Sequence, residues 1–175
     1  MSTDLYRARL VDSELDRLFA QLPAVLLTGP RATGKTTTAR QRAQTMVRLD
    51  DDVEAAAFRA DPDAVLRTLP EPVLLDEWQA VPGVLGAVKR AVDDDPRPGR
   101  FLLTGSVRAE LEAETWPATG RVVRMPLFGL TEREIEGRIG EQSFLDKLLA
   151  GRLDAFPLPP VVPDLDAICL SQPRF

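Results

Sequence analysis

Eight consecutive residues, Gly29, Pro30, Arg31, Ala32, Thr33, Gly34, Lys35 and Thr36, set a lysine and a hydroxyl directly behind a glycine-punctuated turn. The spacing is G-x-x-x-x-G-K-T/S, which points to holding the terminal phosphates of a nucleotide; the plain alternative is a glycine-rich turn that happens to precede a helix. Glycines let the backbone curl with positive φ, so that successive N–H groups converge on phosphate oxygens with no Cβ in the way. A helix expected to begin near Lys35 points the positive end of its dipole at the same anion. Lys35 supplies a full charge to the β- and γ-phosphates, and the Thr36 hydroxyl is a hard oxygen ligand suited to Mg²⁺. Thr37 is placed to touch a phosphate as well.

Binding a phosphate is not yet hydrolysing one. The stretch VLLDEWQ ends in two acids. Asp76, at the carboxyl end of a strand, can hold Mg²⁺ through water opposite Thr36. Glu77 lies where a carboxylate could polarise an attacking water. The plain alternative is a pair of acids solvating a strand end. Trp78 reads as a core residue or an adenine stacker, and Gln79 as a water- or phosphate-orienting amide or a solvated loop residue. Further on, FLLTGS offers Thr104 or Ser106 as a hydroxyl that senses the γ-phosphate or steadies the water. The same letters also make an ordinary turn with Ser106 as a helix N-cap.

These residues need elements to hold them. Apolar runs of strand length occupy 24–28, 46–50, 72–76, 100–105 and 121–125, and helical periodicity fills 13–21, 35–44, 51–69, 82–92 and 106–114. Strands alternating with helices predict an α/β fold, a largely parallel sheet covered on both faces. Thr131 and Glu134 stand in capping-box relation and open a helix to about 138, and SFLDKLLA at 143–150 forms another. From Phe156 onward, five prolines in twenty residues forbid a continuing helix. The expected organisation is one domain over 1–150 and a proline-rich tail, poorly ordered or truncated, over 151–175.

Composition narrows the chemistry. With 22 basic and 27 acidic side chains, the net charge of −5 supplies no bulk field for nucleic acid or anionic lipid. Histidine is absent, which removes imidazole bases and Ser-His-Asp hydrolysis. The lone Cys169 can form neither an internal disulfide nor a cysteine metal cage. No apolar run reaches the ~20 residues of a membrane helix, and the first residues carry no hydrophobic signal core. A cytoplasmic protein is the expectation.

In this order, GPRATGKTT, VLLDEWQ, FLLTGS and TGRVVRMPLFGLTEREI resemble the AAA+ class of P-loop ATPases. The likeness is nearest to prokaryotic ATP-binding proteins whose AAA+ core is followed by a C-terminal domain of unknown function, and it covers residues 5 to 150. It implies a three-layer P-loop NTPase core with a five-stranded sheet of order 5-1-4-3-2. It also implies that Gly29 to Thr36 form Walker A, that Asp76 and Glu77 form Walker B, and that Thr104 or Ser106 fills the sensor 1 region, where the usual asparagine is absent. Arg121, near the fifth strand, would then be the arginine lent to a neighbour's site in a homo-oligomer, ahead of Arg108. The helical lid of AAA+ modules has no counterpart in 151–175, so the chain is expected to be a truncated member or to have a vestigial lid.

The functional expectation is an ATP-binding, Mg²⁺-dependent ATPase that drives conformational change in a protein partner or missing domain. A nucleotide-gated interaction module with little hydrolysis is the alternative. A small-molecule kinase is disfavoured by the adjacent acids and the missing acceptor lid. GTP is disfavoured because an N-K-x-D loop needs asparagine, and this chain has none.

Overall fold

Strands that are apolar on both faces can only lie between two covering layers. The computed structural model describes residues 6–106, 120–142 and 144–151. The helix expected over 106–114, Arg108, Cys169 and the proline-rich segment lie outside the described residues. The chain divides into two units, residues 1–139 and 140–175. In the first, α1 (Asp12–Phe19) precedes β1 (Ala24–Gly29), and α2 (Lys35–Arg40) leads to β2 (Thr45–Arg48). Helices α3 (Asp52–Ala60) and α4 (Pro62–Thr68) precede β3 (Val73–Asp76). A 3₁₀ turn at Trp78–Ala80 and helix α5 (Gly83–Asp94) lead into β4 (Phe101–Ser106), and β5 (Val123–Pro126) and α6 (Glu132–Ile135) follow. The second unit carries α7 (Phe144–Leu149).

The sheet is parallel throughout, in the order β2-β3-β4-β1-β5. This is the expected 5-1-4-3-2 order read from the other edge. Alternate residues of each central strand feed opposite cores. Leu26, Val73, Leu75, Phe101 and Leu103 face Phe58, Leu66, Leu85 and Val88 on one side. Val25, Leu27, Leu74 and Leu102 face Leu15, Phe19 and Ala39 on the other. Each fully buried Leu or Phe contributes about 1.5–3 kcal/mol, so the three layers are held chiefly by this two-sided burial.

The order has a direct consequence for the site. Because β4 lies between β1 and β3, the loop after β1 and the turn after β3 leave the same edge of the sheet with the end of β4 between them. Pairing of Leu27 with Thr104 and of Leu75 with Leu103 brings Thr104 level with Asp76.

Element boundaries depart from the sequence reading where side chains compete for the backbone. The helix expected over 51–69 breaks in two at Asp61, whose carboxylate accepts from the Ala64 N–H at 2.9 Å while Pro62 starts the next helix. Proline has no N–H to give and is at home in a first helical turn. Helix α2 ends at Arg40 rather than 44. Tight bonds from the Arg42 N–H to the Ala39 carbonyl (3.1 Å) and from the Ala43 N–H to the Arg40 carbonyl (3.3 Å) close it before β2. The Thr131–Glu134 capping box is present in both halves, but α6 stops at Ile135, two residues before Gly137 at φ 72°.

Candidate functional site

The loop from Gly29 to Thr36 lies outside the carboxyl ends of the strands, where open α/β sheets bind ligands. Gly34 adopts a left-handed conformation, φ 85°, at the entry to α2. Lys35 is buried, 6% exposed, and its Nζ folds back over the loop to donate to the carbonyls of Gly29 at 3.1 Å and Pro30 at 2.7 Å. The ammonium thus ties the start of the loop to the start of α2, satisfied by backbone oxygens.

Asp76 is the hub of the acidic side, buried at 6% exposure. Its Oδ1 accepts from the Thr36 hydroxyl at 2.7 Å and from the Thr104 hydroxyl. Thr104 has no exposed surface, and its Oγ1 also accepts the Glu77 N–H at 3.3 Å. One hydroxyl therefore orients both acids, and its contacts are to them rather than to open solvent. Ser106 stands at the end of β4, half-buried and opposite Gly29.

Glu77 has a left-handed backbone, φ 54°, which a side chain other than glycine adopts at a cost of about 1–3 kcal/mol. Such strain persists only where surroundings impose it. Here Thr104 takes its N–H, and Gln79 Nε2 donates to Glu77 Oε2. Gln79 Oε1 is buried with no hydrogen-bond partner among the described residues. Trp78 is 3% exposed and belongs to the core, which decides against a stacking role. The turn lies so close to β4 that a Cβ on Gly105 would come within 2.4 Å of Trp78 Nε1. The glycine of FLLTGS is there to admit the Trp78–Gln79 turn.

Loop and acids enclose a cleft of ≈ 630 Å³ lined by Arg31 to Thr37 together with Glu77, Gln79 and Asp50. A second cleft of ≈ 250 Å³ shares Ala32, Thr33, Gly34 and Thr37 with it and is otherwise lined by Tyr6, Arg7, Arg9, Thr38 and Leu130. The loop is the wall between the two. For a metal, Thr36 and Asp76 provide two touching hard oxygens, a donor set that fits Mg²⁺. No cluster of three or more His, Cys, Asp or Glu exists among the described residues, so phosphate oxygens and water must complete the shell.

Arg121 is not brought to this cleft. It precedes β5, at the amino edge of the sheet, and its Nε donates to Asp93 Oδ1 at 2.6 Å. Sequence reasoning missed Asp50, the last letter of the strand expected over 46–50, which lies beyond the end of β2 at Arg48 and lines the cleft. It also missed Arg9, whose buried Nε meets Glu134 Oε1 at 2.9 Å from 125 positions away.

Glu134 is 3% exposed. Burial pushes its carboxyl upward, but the N–H groups of Thr131 and Leu10, the Arg9 guanidinium and the Thr131 hydroxyl outweigh this and hold it at about 2. A folded value depressed from 4.5 to about 2 contributes about 3 kcal/mol of stability above pH 4.5, lost as the pH falls toward 2. Urea unfolding at pH 7 and pH 2.5 should show the wild type losing more of its midpoint than Glu134→Gln, which cannot titrate there.

A family model described as an AAA domain matches residues 21–136. The chain belongs to the AAA domain family. In this AAA domain the Gly29–Thr36 loop, Asp76, Glu77 and the strand of Thr104 all lie inside the matched stretch, and the family is one of nucleotide-binding P-loop ATPases. Uncharacterized proteins of Mycobacterium bovis and Mycobacterium tuberculosis are each 32% identical to it over 149 residues, covering 83% of this chain and 34% of theirs. The AAA domain chain therefore spans about a third of the length of these curated relatives. Among its described residues, no helix is long and apolar enough to cross a membrane.

Proposed function

We propose that this AAA domain binds ATP with Mg²⁺ and hydrolyses it to ADP and phosphate. The observation that carries the reading is the Thr36–Asp76–Thr104 contact, which sets a metal-fitting pair beside the phosphate loop and turns Glu77 into the same cleft. The triphosphate would lie along Gly29 to Thr37, with Lys35 exchanging the Gly29 and Pro30 carbonyls for phosphate oxygens. Mg²⁺, held by Thr36 and Asp76, would neutralise charge on the β- and γ-phosphates. The base would occupy the smaller cleft, where Tyr6 and Leu130 offer a flat ring and an apolar wall.

Hydrolysis then asks one group to act on water. Glu77 has one carboxylate oxygen committed to Gln79 and its other oxygen for a water in line with the γ-phosphate. Thr104 serves by orienting Asp76 and Glu77, and Ser106 stands at the mouth of the same strand. Arg121 would act only on a second copy's nucleotide. In the longer proteins of this kind, turnover would drive a conformational change in the remaining polypeptide or in a protein partner, and the compartment would be the cytoplasm.

Phosphate release measured with Mg²⁺ and with a chelator tests this. Mg²⁺-dependent release that saturates with ATP supports it, and a specific rate that rises with protein concentration supports a shared arginine. ATP binding with no release favours the gated-module alternative.

A further inference from the structure

Behind the phosphate loop, on the wall of the smaller cleft, lies a guanidinium to which the hydrolysis step gives no role. Arg9 is 6% exposed. Its Nη1 donates to the Thr33 carbonyl at 2.9 Å, Nη2 to the Phe128 carbonyl at 2.8 Å, and Nε to Glu134 at 2.9 Å. It presses on the loop closely enough that a Cβ on Gly34 would lie 3.3 Å from Nη1.

Two arguments decide what Arg9 does there. The first is charge. Glu134 sits in direct contact with it, so the pair presents little net field to an anion on the other side of the loop. The second is peptide geometry. In a trans peptide the C=O and the next N–H point in opposite directions. A Thr33 carbonyl drawn toward Arg9 therefore aims the Gly34 N–H away from it, toward the cleft lined by Lys35 and Thr36.

We propose that Arg9 is a positioning residue that fixes the Thr33–Gly34 peptide so that the Gly34 N–H faces the phosphates, with Glu134 anchoring it to helix α6. This rests on the nucleotide reading above. A single peptide orientation joins the segment before α1, the phosphate loop and the segment after β5. Lysine cannot replace Arg9, because one ammonium cannot reach all three directions of the planar fork.

The test is MgATP affinity by calorimetry, with melting temperature, for wild type, Arg9→Lys and the double variant Arg9→Met with Glu134→Gln. The double variant removes both charges, so no lone buried charge opposes folding, and its glutamine oxygen keeps one of the two acceptor positions that the Leu10 and Thr131 N–H groups use. Loss of one charge-assisted contact to phosphate predicts affinity lower by about tenfold or more in both variants, measured well below each variant's own melting temperature, which is expected to fall in the double variant while the melt stays cooperative. Affinity for magnesium tripolyphosphate, which has no base to enter the smaller cleft that Arg9 lines, should fall by the same factor, whereas loss confined to MgATP or to the melting temperature overturns the inference. Affinity within threefold of wild type in a folded variant overturns the inference while sparing the nucleotide reading. Absence of MgATP binding by the wild type overturns both. In the wild type, the Gly34 amide proton should also shift on MgATP addition, and a stationary resonance counts against the inference.

Discussion

Lys35→Ala is expected to lower ATP affinity by about a hundredfold or more, since on the proposed reading its ammonium would give at least two charge-assisted hydrogen bonds to the β- and γ-phosphates. The same ammonium holds the Gly29 and Pro30 carbonyls. Alanine therefore also removes the cation that ties the two ends of the loop together. Circular dichroism separates the two effects. The sheet is built from strands whose cores do not include Lys35, so the variant should keep its secondary structure and lose its ligand. Binding isotherms for wild type and variant at equal Mg²⁺ give the comparison directly.

The second large effect belongs to Glu77. Replacing it with Gln keeps the size and the hydrogen bond to the Gln79 side but removes the carboxylate that would draw a proton from water. Turnover should fall by about 10²–10⁴, the usual contribution of a positioned general base. ATP affinity should stay within a few-fold, because the phosphates are held by the loop and not by Glu77. Parallel phosphate-release and binding measurements on the variant would show release lost and binding kept. Equal turnover in wild type and variant would remove Glu77 from the chemistry and leave Thr36 and Asp76 as a purely metal-holding pair.

Much of this was legible from local spacing. The strand–loop–helix run through Lys35 announces itself because each letter acts on its immediate neighbours, and Asp76 and Glu77 follow a strand whose apolar letters mark its end. The sheet order was implied by resemblance rather than by periodicity, and the family match and topology agree with it. What stayed hidden depends on contacts distant in sequence. Arg9 reads as one arginine among nineteen until Glu134, itself recognisable as a cap, proves to be its partner. Thr104 could not be told from Ser106 by spacing, since only the pairing of β3 with β4 brings Thr104 to Asp76. The helix boundary at Asp61–Pro62 was in principle visible, because aspartate followed by proline marks a helix start, yet the apolar periodicity on both sides masks it.

One measurement bears most directly on the central claim that the loop and Asp76 jointly hold a metal-bound nucleotide. It is a calorimetric titration of the chain with ATP, run with Mg²⁺ and again with a chelator, on wild type and Asp76→Asn. The predicted result is one ATP per chain, bound more tightly with Mg²⁺, and a Mg²⁺ advantage that disappears in Asp76→Asn. Binding that ignores Mg²⁺ and Asp76 alike, or no binding at all, would contradict it.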